Sequence, residues 1–152
     1  MNGNAWESIY VLLLWLGMLC LVPFSFQVIG GSEKRLDDEL FQMFKHHLSD
    51  PGPTREMSAM CLANLLSRPD METALHEFLE WCDATVVQVL TTAFVTSEQS
   101  FLIVGVVHSL AAVFKVGNRE SLPSIPTNLW EHSIQLAKSP LCKGSILLHK
   151  LL

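Results

Sequence analysis

Apolar residues recur along this chain mostly at intervals of three and four, which predicts helices joined by short connections. The first segment, Trp6–Phe24, differs because its apolar residues surround the helix axis. Two series at helical spacing run through it: Trp6, Tyr10, Leu13 and Gly17, and then Val11, Leu14, Trp15, Met18 and Leu21. A helix that is apolar on every side is normally buried between neighbours. We therefore expect this segment to be an inner helix of a protein stack, covered by other helices on both sides.

The same segment allows two alternatives, a membrane anchor and a secretory signal. Its uninterrupted apolar run, Ile9–Val22, ends at Pro23 and is shorter than the ~20 residues that a spanning helix needs. The residues before the run contain no Lys or Arg, and those after it offer no small-residue cleavage site. A buried helix is therefore the main prediction, and a membrane-associated helical protein anchored by Ile9–Val22 is the alternative.

Six further helical patterns follow the first. They are separated by turn residues and begin near Ser32, Thr54, Met71, Ser97, Trp130 and Leu141. No strand pattern is clear. About seven helices with short connections favour antiparallel pairs and predict an all-α solenoid fragment of HEAT/armadillo-like repeats. We expect residues 1–152 to form a single helical-repeat segment that is part of a longer solenoid.

Polar residues at the predicted helix ends suggest how the helices start and stop. Ser32, Asp70 and Ser97 each precede or open an apolar pattern, and such residues are good N-caps. Gly117 follows the fifth pattern and fits the position after a helix C-terminus. These positions predict boundaries near residues 32, 70, 97 and 117.

Composition and charge limit the classes of function that this chain can have. The chain has 152 residues, is 49% hydrophobic and only 16% charged, and carries a formal net charge of −5. Phosphate binding needs clustered Lys and Arg, which the sequence lacks, so a nucleic-acid role is disfavoured. The four cysteines are scattered without a C-x-x-C pair. We expect them to be small buried hydrophobic residues in a reducing cytosol.

The chain offers little recognisable chemistry, since no nucleophile elbow, phosphate-binding loop or H-E-x-x-H motif occurs. His46 and His47 are adjacent, so on a helix they would point apart as a surface pair. Cys142 and His149 would lie about 10 Å apart along a helix axis, too far to share a metal. We expect no catalytic, cofactor or metal site, and we expect His108 to be a hydrogen-bonded core histidine.

Two short stretches could bind ligands in other settings. Gly30-Gly31-Ser32 precedes a predicted helix, and helix N-termini bind anions, but no other part of a phosphate-binding motif accompanies it. The acidic run Asp37-Asp38-Glu39 is typical of a solvated face at a helix start, where acids suit the helix dipole. Neither stretch is assigned a binding role, and we predict that this chain is not an enzyme.

The first segment, W-x-x-x-Y-V-L-L-L-W-L-x-x-x-C-L-V-P-F, resembles the tubulin-folding cofactor D family, whose members are β-tubulin-binding chaperones. Ser25 departs from this pattern, because an acid is expected there. Weaker similar motifs follow in the same order: Thr54-Arg55, Ser67-Arg-Pro-Asp-Met71, Phe78-Leu-Glu-Trp81, Leu110-Ala-Ala-Val-Phe-Lys115, Gly117-x-Arg-Glu120 and Leu122-Pro123. The resemblance spans nearly the whole chain and places it in an N-terminal portion of much longer helical-repeat proteins.

The resemblance implies a cytoplasmic, cytoskeleton-associated chaperone. Family members take part in assembly and disassembly of the αβ-tubulin heterodimer with sister tubulin-folding cofactors, and the joint complex stimulates GTP hydrolysis by tubulin. An Arf-like small GTPase regulates them. The arginine credited with activating hydrolysis belongs to a different cofactor, so neither Arg55 nor Arg119 inherits that role. The partner-binding residues stay unknown, and no cofactor and no membrane insertion is expected.

Overall fold

Seven α-helices make up almost all of the described part of the chain. The computed structural model describes residues 5–23, 36–117, 126–144 and 150. Within these ranges no residue is in a strand, which agrees with the predicted all-α fold. The helices are α1 (Ala5–Leu19), α2 (Leu36–His46), α3 (Pro53–Leu66), α4 (Glu72–Thr91), α5 (Ser97–Val116), α6 (Thr127–Lys138) and α7 (Pro140–Gly144).

The helices stack in two rows. In one row α3 lies between α1 and α5, and these are the two most extensive helix contacts in the described structure. In the other row α4 packs against α6. The strongest contacts therefore join every second helix along the chain. This arrangement is the one expected of a helical-repeat stack, in which each helix pair lies against the next.

The core lies between the two rows. Its fully buried side chains come from every helix from α1 to α6, and the largest are Leu13, Phe44, Leu48, Leu62, Leu65, Leu66, Phe78, Ile103, Leu129 and Leu136. Leu48 belongs to a short 3₁₀ turn, His47–Ser49, that packs against both α3 and α5. Gly105 lies where this turn meets α5, and there is no room for a side chain: a Cβ atom there would lie 2.3 Å from the Leu48 carbonyl oxygen. The close approach of the turn to α5 therefore depends on glycine.

Helix α1 is less buried than its apolar sequence predicts. Its buried positions are Leu13 and Gly17, with Cys20 just after its end. Its exposed large apolar side chains are Trp6, Val11, Leu12, Leu14, Trp15, Met18 and Leu19, followed by Leu21. The prediction that helices cover it on both sides is wrong for the described structure. Helix α1 stands at one end of its row, so α3 covers only one of its sides.

The start of α4 also differs from the prediction. Asp70 does not cap the helix, because the N-cap position is Met71 and no side chain accepts a hydrogen bond there. The Asp70 carboxylate instead binds the Arg68 guanidinium, with oxygen–nitrogen distances of 3.0 and 3.1 Å. A competing charge-assisted hydrogen bond therefore takes the side chain away from the helix end.

The two ends of α5 follow familiar cap chemistry at slightly different positions. Thr96, not Ser97, is the N-cap: its hydroxyl accepts a hydrogen bond from the Gln99 backbone N–H, and the Gln99 side chain accepts one from the Thr96 N–H. This reciprocal pair is a capping box. Gly117 ends α5 as predicted, but with an extended backbone (φ −62°, ψ 149°) in place of a left-handed one. Ser32 lies outside the described residues.

Candidate functional site

Helix α3 presents a row of side-chain donors to the backbone of α1. The Cys61 thiol donates to the Leu13 carbonyl at 3.1 Å, and the Asn64 amide donates to the Gly17 carbonyl at 3.5 Å. Gly17 lets the two helices approach, because a Cβ atom there would lie 2.8 Å from the Cys61 sulfur. We call this contact, with the Arg68 contact described next, the α1–α3 seam.

Arg68 forms the C-terminal end of the seam. Its Nη1 donates to the carbonyls of Cys20 at 3.1 Å and Val22 at 2.7 Å, while Asp70 holds the other edge of the guanidinium. The last carbonyls of a helix lack partners within the helix, and a basic group there also suits the helix dipole. The Arg-Pro-Asp turn therefore has a structural role: it closes the end of α1. An open depression of about 500 Å³ lies beside this contact.

The cysteines are buried, as predicted, and all four are free thiols. Burial raises the pKa of Cys20 to about 11 and that of Cys61 to about 12. Burial also raises the pKa of Cys82 well above its ordinary value. Since the thiolate is the reactive form of cysteine, these three side chains are poor nucleophiles near neutral pH. They serve packing and, for Cys61, hydrogen bonding.

The histidines differ from the prediction in their exposure and in their contacts with carboxylates. The ring of His47 is not part of a fully exposed pair with His46, because its Nδ1 lies 2.7 Å from an Asp50 carboxylate oxygen and it is half-buried. His132 on α6 lies 2.6 Å from the Asp83 carboxylate on α4, and this contact joins the second row of helices. Sequence reasoning missed it because the two residues are 49 positions apart with no motif around either.

His108 and Arg55 each keep a buried polar nitrogen without a hydrogen-bond partner among the described atoms, His108 at Nδ1 and Arg55 at Nε. The predicted hydrogen bond of His108 is therefore missing at Nδ1. Arg55 is 95% buried, with its Nη1 3.4 Å from the Asp50 carbonyl, so it does not face solvent as an activating arginine would. Asp37 is also buried, contrary to the expected solvated face, whereas Asp38 and Glu39 are exposed as expected.

Several predicted positions cannot be placed. Gly30-Gly31-Ser32, Arg119 and His149 lie outside the described residues. Within the described part of the chain, no group of three or more metal-ligating side chains comes together. The candidates for function considered next are surfaces formed by the described residues.

Two apolar surfaces stand out, one at each end of the first row. The α1 outer surface consists of Val11, Leu12, Trp15, Met18 and Leu19, all exposed. The α5–α6 groove is a cavity of about 180 Å³ lined by Val107, Leu110, Ala111, Phe114, Trp130, Ser133, Ile134 and Ala137. At one end of this groove the rings of Phe114 and Trp130 stack with centroids 5.2 Å apart. Large apolar patches on a soluble protein usually mark interaction sites.

A spanning anchor at Ile9–Val22 does not fit this geometry. Helix α1 has 15 residues, about 22 Å in length, against a hydrocarbon thickness of about 30 Å. It is also hydrogen-bonded to α3 along the seam. Among the described helices only α5 is long and apolar enough to cross a membrane, and half of its most apolar stretch is buried inside the fold.

Comparison with known proteins identifies related sequences. Residues 1–86 match a family described as "Tubulin-specific chaperone D-like, ARM repeat". The chain is also similar to the tubulin-specific chaperone D of Dictyostelium discoideum, with 28% identity over 170 aligned residues. That alignment covers 95% of this chain but 11% of the relative, so the chain spans about a tenth of the relative's length. No solved structure matches.

Proposed function

Because this chain belongs to the tubulin-specific chaperone D-like family of armadillo-repeat proteins, we propose that it binds β-tubulin and takes part in tubulin folding. The observation that carries the proposal is the family match over residues 1–86, supported by similarity along nearly the whole chain to a protein named tubulin-specific chaperone D. The two-row stack is compatible with this role, since helical-repeat proteins use extended surfaces to bind partners.

The proposed contribution is that of a scaffold. The chain would take part in assembly and disassembly of the αβ-tubulin heterodimer together with sister tubulin-folding cofactors and an Arf-like small GTPase. In that complex it would support GTP hydrolysis by tubulin without supplying a reacting group. The described side chains support this view, because the seam and the His132–Asp83 contact use polar groups to hold helices together, and the capping box uses them to begin α5. We place this activity in the cytoplasm, associated with the cytoskeleton.

A binding experiment with the full chain tests the first step. The immobilised chain is mixed with equal amounts of labelled β-tubulin and α-tubulin, and the retained fractions are compared. Selective retention of β-tubulin is expected. Retention of neither tubulin would contradict the proposal for this chain.

The scaffold role needs a second measurement. GTP hydrolysis by tubulin is followed with the sister cofactors present, before and after addition of the chain. A rise in the rate on addition supports the proposal, and a rate that depends only on the sister cofactors contradicts it. Fractionation of cells that produce the tagged chain tests its location: recovery with membranes, and not with cytoplasmic tubulin, would count against the assignment.

A further inference from the structure

The ammonium group of Lys45 lies over aromatic rings. Its nitrogen is 4.2 Å from the centroid of the Trp81 ring and 5.8 Å from the centroid of the Phe41 ring. Both distances fall within the ~6 Å over which the face of a ring attracts a cation. Among the described residues, Lys45 is the one lysine placed in this way. Lys45 and Phe41 belong to α2 and Trp81 belongs to α4, so the cation also joins these two helices.

Phe78 holds these two rings in place from inside the fold. Its own ring is fully buried, and its centroid lies 6.2 Å from that of Phe41 and 5.8 Å from that of Trp81. Ring pairs at roughly 4.5–7 Å attract each other. We call Phe41, Phe78 and Trp81 the aromatic platform. The platform is buried at Phe78 and reaches the surface at Trp81, which is partly exposed, as is Lys45 beside it.

The rings are the only partners of this ammonium group in the described part of the chain, where no hydrogen bond or ion pair involves its nitrogen. Its three N–H groups therefore bond to water, and replacing them by methyl groups breaks no bond within the protein. Methylation also keeps the positive charge that the rings attract, and aromatic rings recognise methylated ammonium groups in this way. Acetylation, in contrast, would remove the charge. The surroundings of Lys45 therefore favour a methylated amine over an acetylated one.

We propose that Lys45 is a methylation site and that the aromatic platform holds the methylated ammonium group. The partner is a lysine methyltransferase that uses a sulfonium methyl donor. The lone pair of the neutral amine attacks the methyl carbon, the carbon–sulfur bond breaks, and its electron pair stays on sulfur in the thioether product. The new ammonium group loses a proton to water before each further transfer. The inference rests on the fold and does not depend on tubulin binding.

Burial of the amine also favours this reaction. It lowers the pKa of the Lys45 ammonium from its ordinary value, while Cys82 and Glu77 act in the opposite direction. Since only the neutral amine can attack, a lowered pKa makes the reacting form easier to reach. The trimethylated product carries a permanent charge and no N–H group, so it needs no hydrogen-bond partner on the rings.

Two side-chain analogues at position 45 that differ only in three methyl groups test the platform. Folded K45C is alkylated with 2-bromoethylamine or with (2-bromoethyl)trimethylammonium, and mass spectrometry confirms a single addition. The thiols of Cys20, Cys61 and Cys82 are buried with raised pKa values and react poorly. In urea, the trimethyl analogue should have an unfolding equilibrium constant about threefold or more below that of the amine analogue. The same pair in K138C, at an exposed lysine of α6, should show no difference, and equal stability of the pair at position 45 would overturn the proposal.

The W81L variant removes the ring nearest the ammonium group, so in this background the two analogues should unfold alike. A second measurement does not depend on the folding of W81L. The wild-type chain is methylated with ¹³C-formaldehyde and a borane, which converts its lysines to dimethyl-lysines. The methyl signals of Lys45, identified by their absence in K45R, should lie upfield of those of Lys115 and Lys138, because a ring shields nuclei above its face. Signals that coincide with those of the exposed lysines would overturn the proposal.

Isolation of the chain from cells of its own organism tests whether the site is used. The cells are grown with methionine that carries a deuterated methyl group, the precursor of the donor, and the peptide that contains Lys45 is analysed by mass spectrometry. Labelled methyl groups on Lys45 support the proposal. A peptide without methyl groups, or with an acetyl group instead, overturns it. Equal labelling of Lys115 and Lys138 also overturns it, because methylation would then not follow the platform.

Discussion

Replacing Gly105 by alanine should destabilise the fold, although alanine is the better helix former. In an exposed helix the change would stabilise by about 1 kcal/mol. Here the new Cβ would lie 2.3 Å from the Leu48 carbonyl oxygen and 3.0 Å from its carbonyl carbon. Ordinary van der Waals contact begins near 3.4 Å, so the turn must retreat by about 1.1 Å. The obstacle is backbone, so no side-chain rotation can relieve it.

The expected loss of stability in G105A follows from the displacement of Leu48, which belongs to this turn. Leu48 is fully buried, and its side chain packs between α3 and α5. Overpacking a core typically costs about 1–3 kcal/mol, and partial exposure of a leucine costs about 1–2 kcal/mol more. After the propensity gain is subtracted, we expect a net destabilisation of about 2 kcal/mol. In a chain of this size that corresponds to a fall in Tm of roughly 4–8 °C.

Urea unfolding followed by circular dichroism measures this loss, and Gly17→Ala provides the matched control. Its Cβ would meet the Cys61 sulfur at 2.8 Å, but that atom belongs to a side chain that can turn away. G17A should therefore lose no more than about 1 kcal/mol, and in a C61A background it should regain the alanine propensity. A G105A protein as stable as the wild type would refute the backbone-contact argument.

Three further predictions concern the seam, the α5 cap and the buried thiols. Arg68→Gln removes charge-assisted hydrogen bonds to the end of α1 and should lower the free energy of unfolding by about 2 kcal/mol; an unchanged midpoint in urea would count against the seam. Thr96→Ala removes the α5 cap and should cost about 1 kcal/mol in the same assay, whereas an equal loss from the neighbouring S97A would argue against the cap. The free energy of unfolding should fall as pH rises above about 9, because the unfolded thiols of Cys20 and Cys61 ionise near 9.0 while the folded ones, with pKa about 11 and about 12, keep their protons. This stability is fully present below pH 9 and lost as pH approaches the folded pKa values; a C20A/C61A variant should show a shallower decline, and an identical slope would refute the cause.

The helices themselves were predictable from the sequence. Each of the first six apolar patterns at intervals of three and four became a helix, and Pro53, Pro69 and Pro140 stand at or beside helix starts as turn chemistry requires. The seventh pattern lies mostly outside the described residues, which include only its start in α7. Helix ends were harder to place. Asp70 and Ser97 both have good capping side chains, but a neighbouring Arg68 binds the first and Thr96 takes the position before the second. Such competition between neighbouring side chains is not visible in the pattern of apolar and polar positions.

Exposure of α1 could not be read from its sequence. The sequence of a helix that is apolar on every side is the same whether the helix lies inside a stack or at one end. The apolar pattern shows which faces can be buried, but not which of them have a neighbour. The candidate surfaces were equally hidden. The groove combines α5 with α6, and the stacking of Phe114 on Trp130 appears only once the rows are assembled.

The spacing of donors in the α1–α3 seam fixes where α1 can sit. Cys61, Asn64 and Arg68 reach carbonyls at Leu13, Gly17 and Cys20, so both partners advance by about one helical turn at each step. Sliding α1 by one residue would rotate it by 100° and break every one of these pairings together. The three pairings therefore hold α1 in one register against α3. A bend elsewhere in the molecule can tilt the two helices together, but it does not shift one along the other.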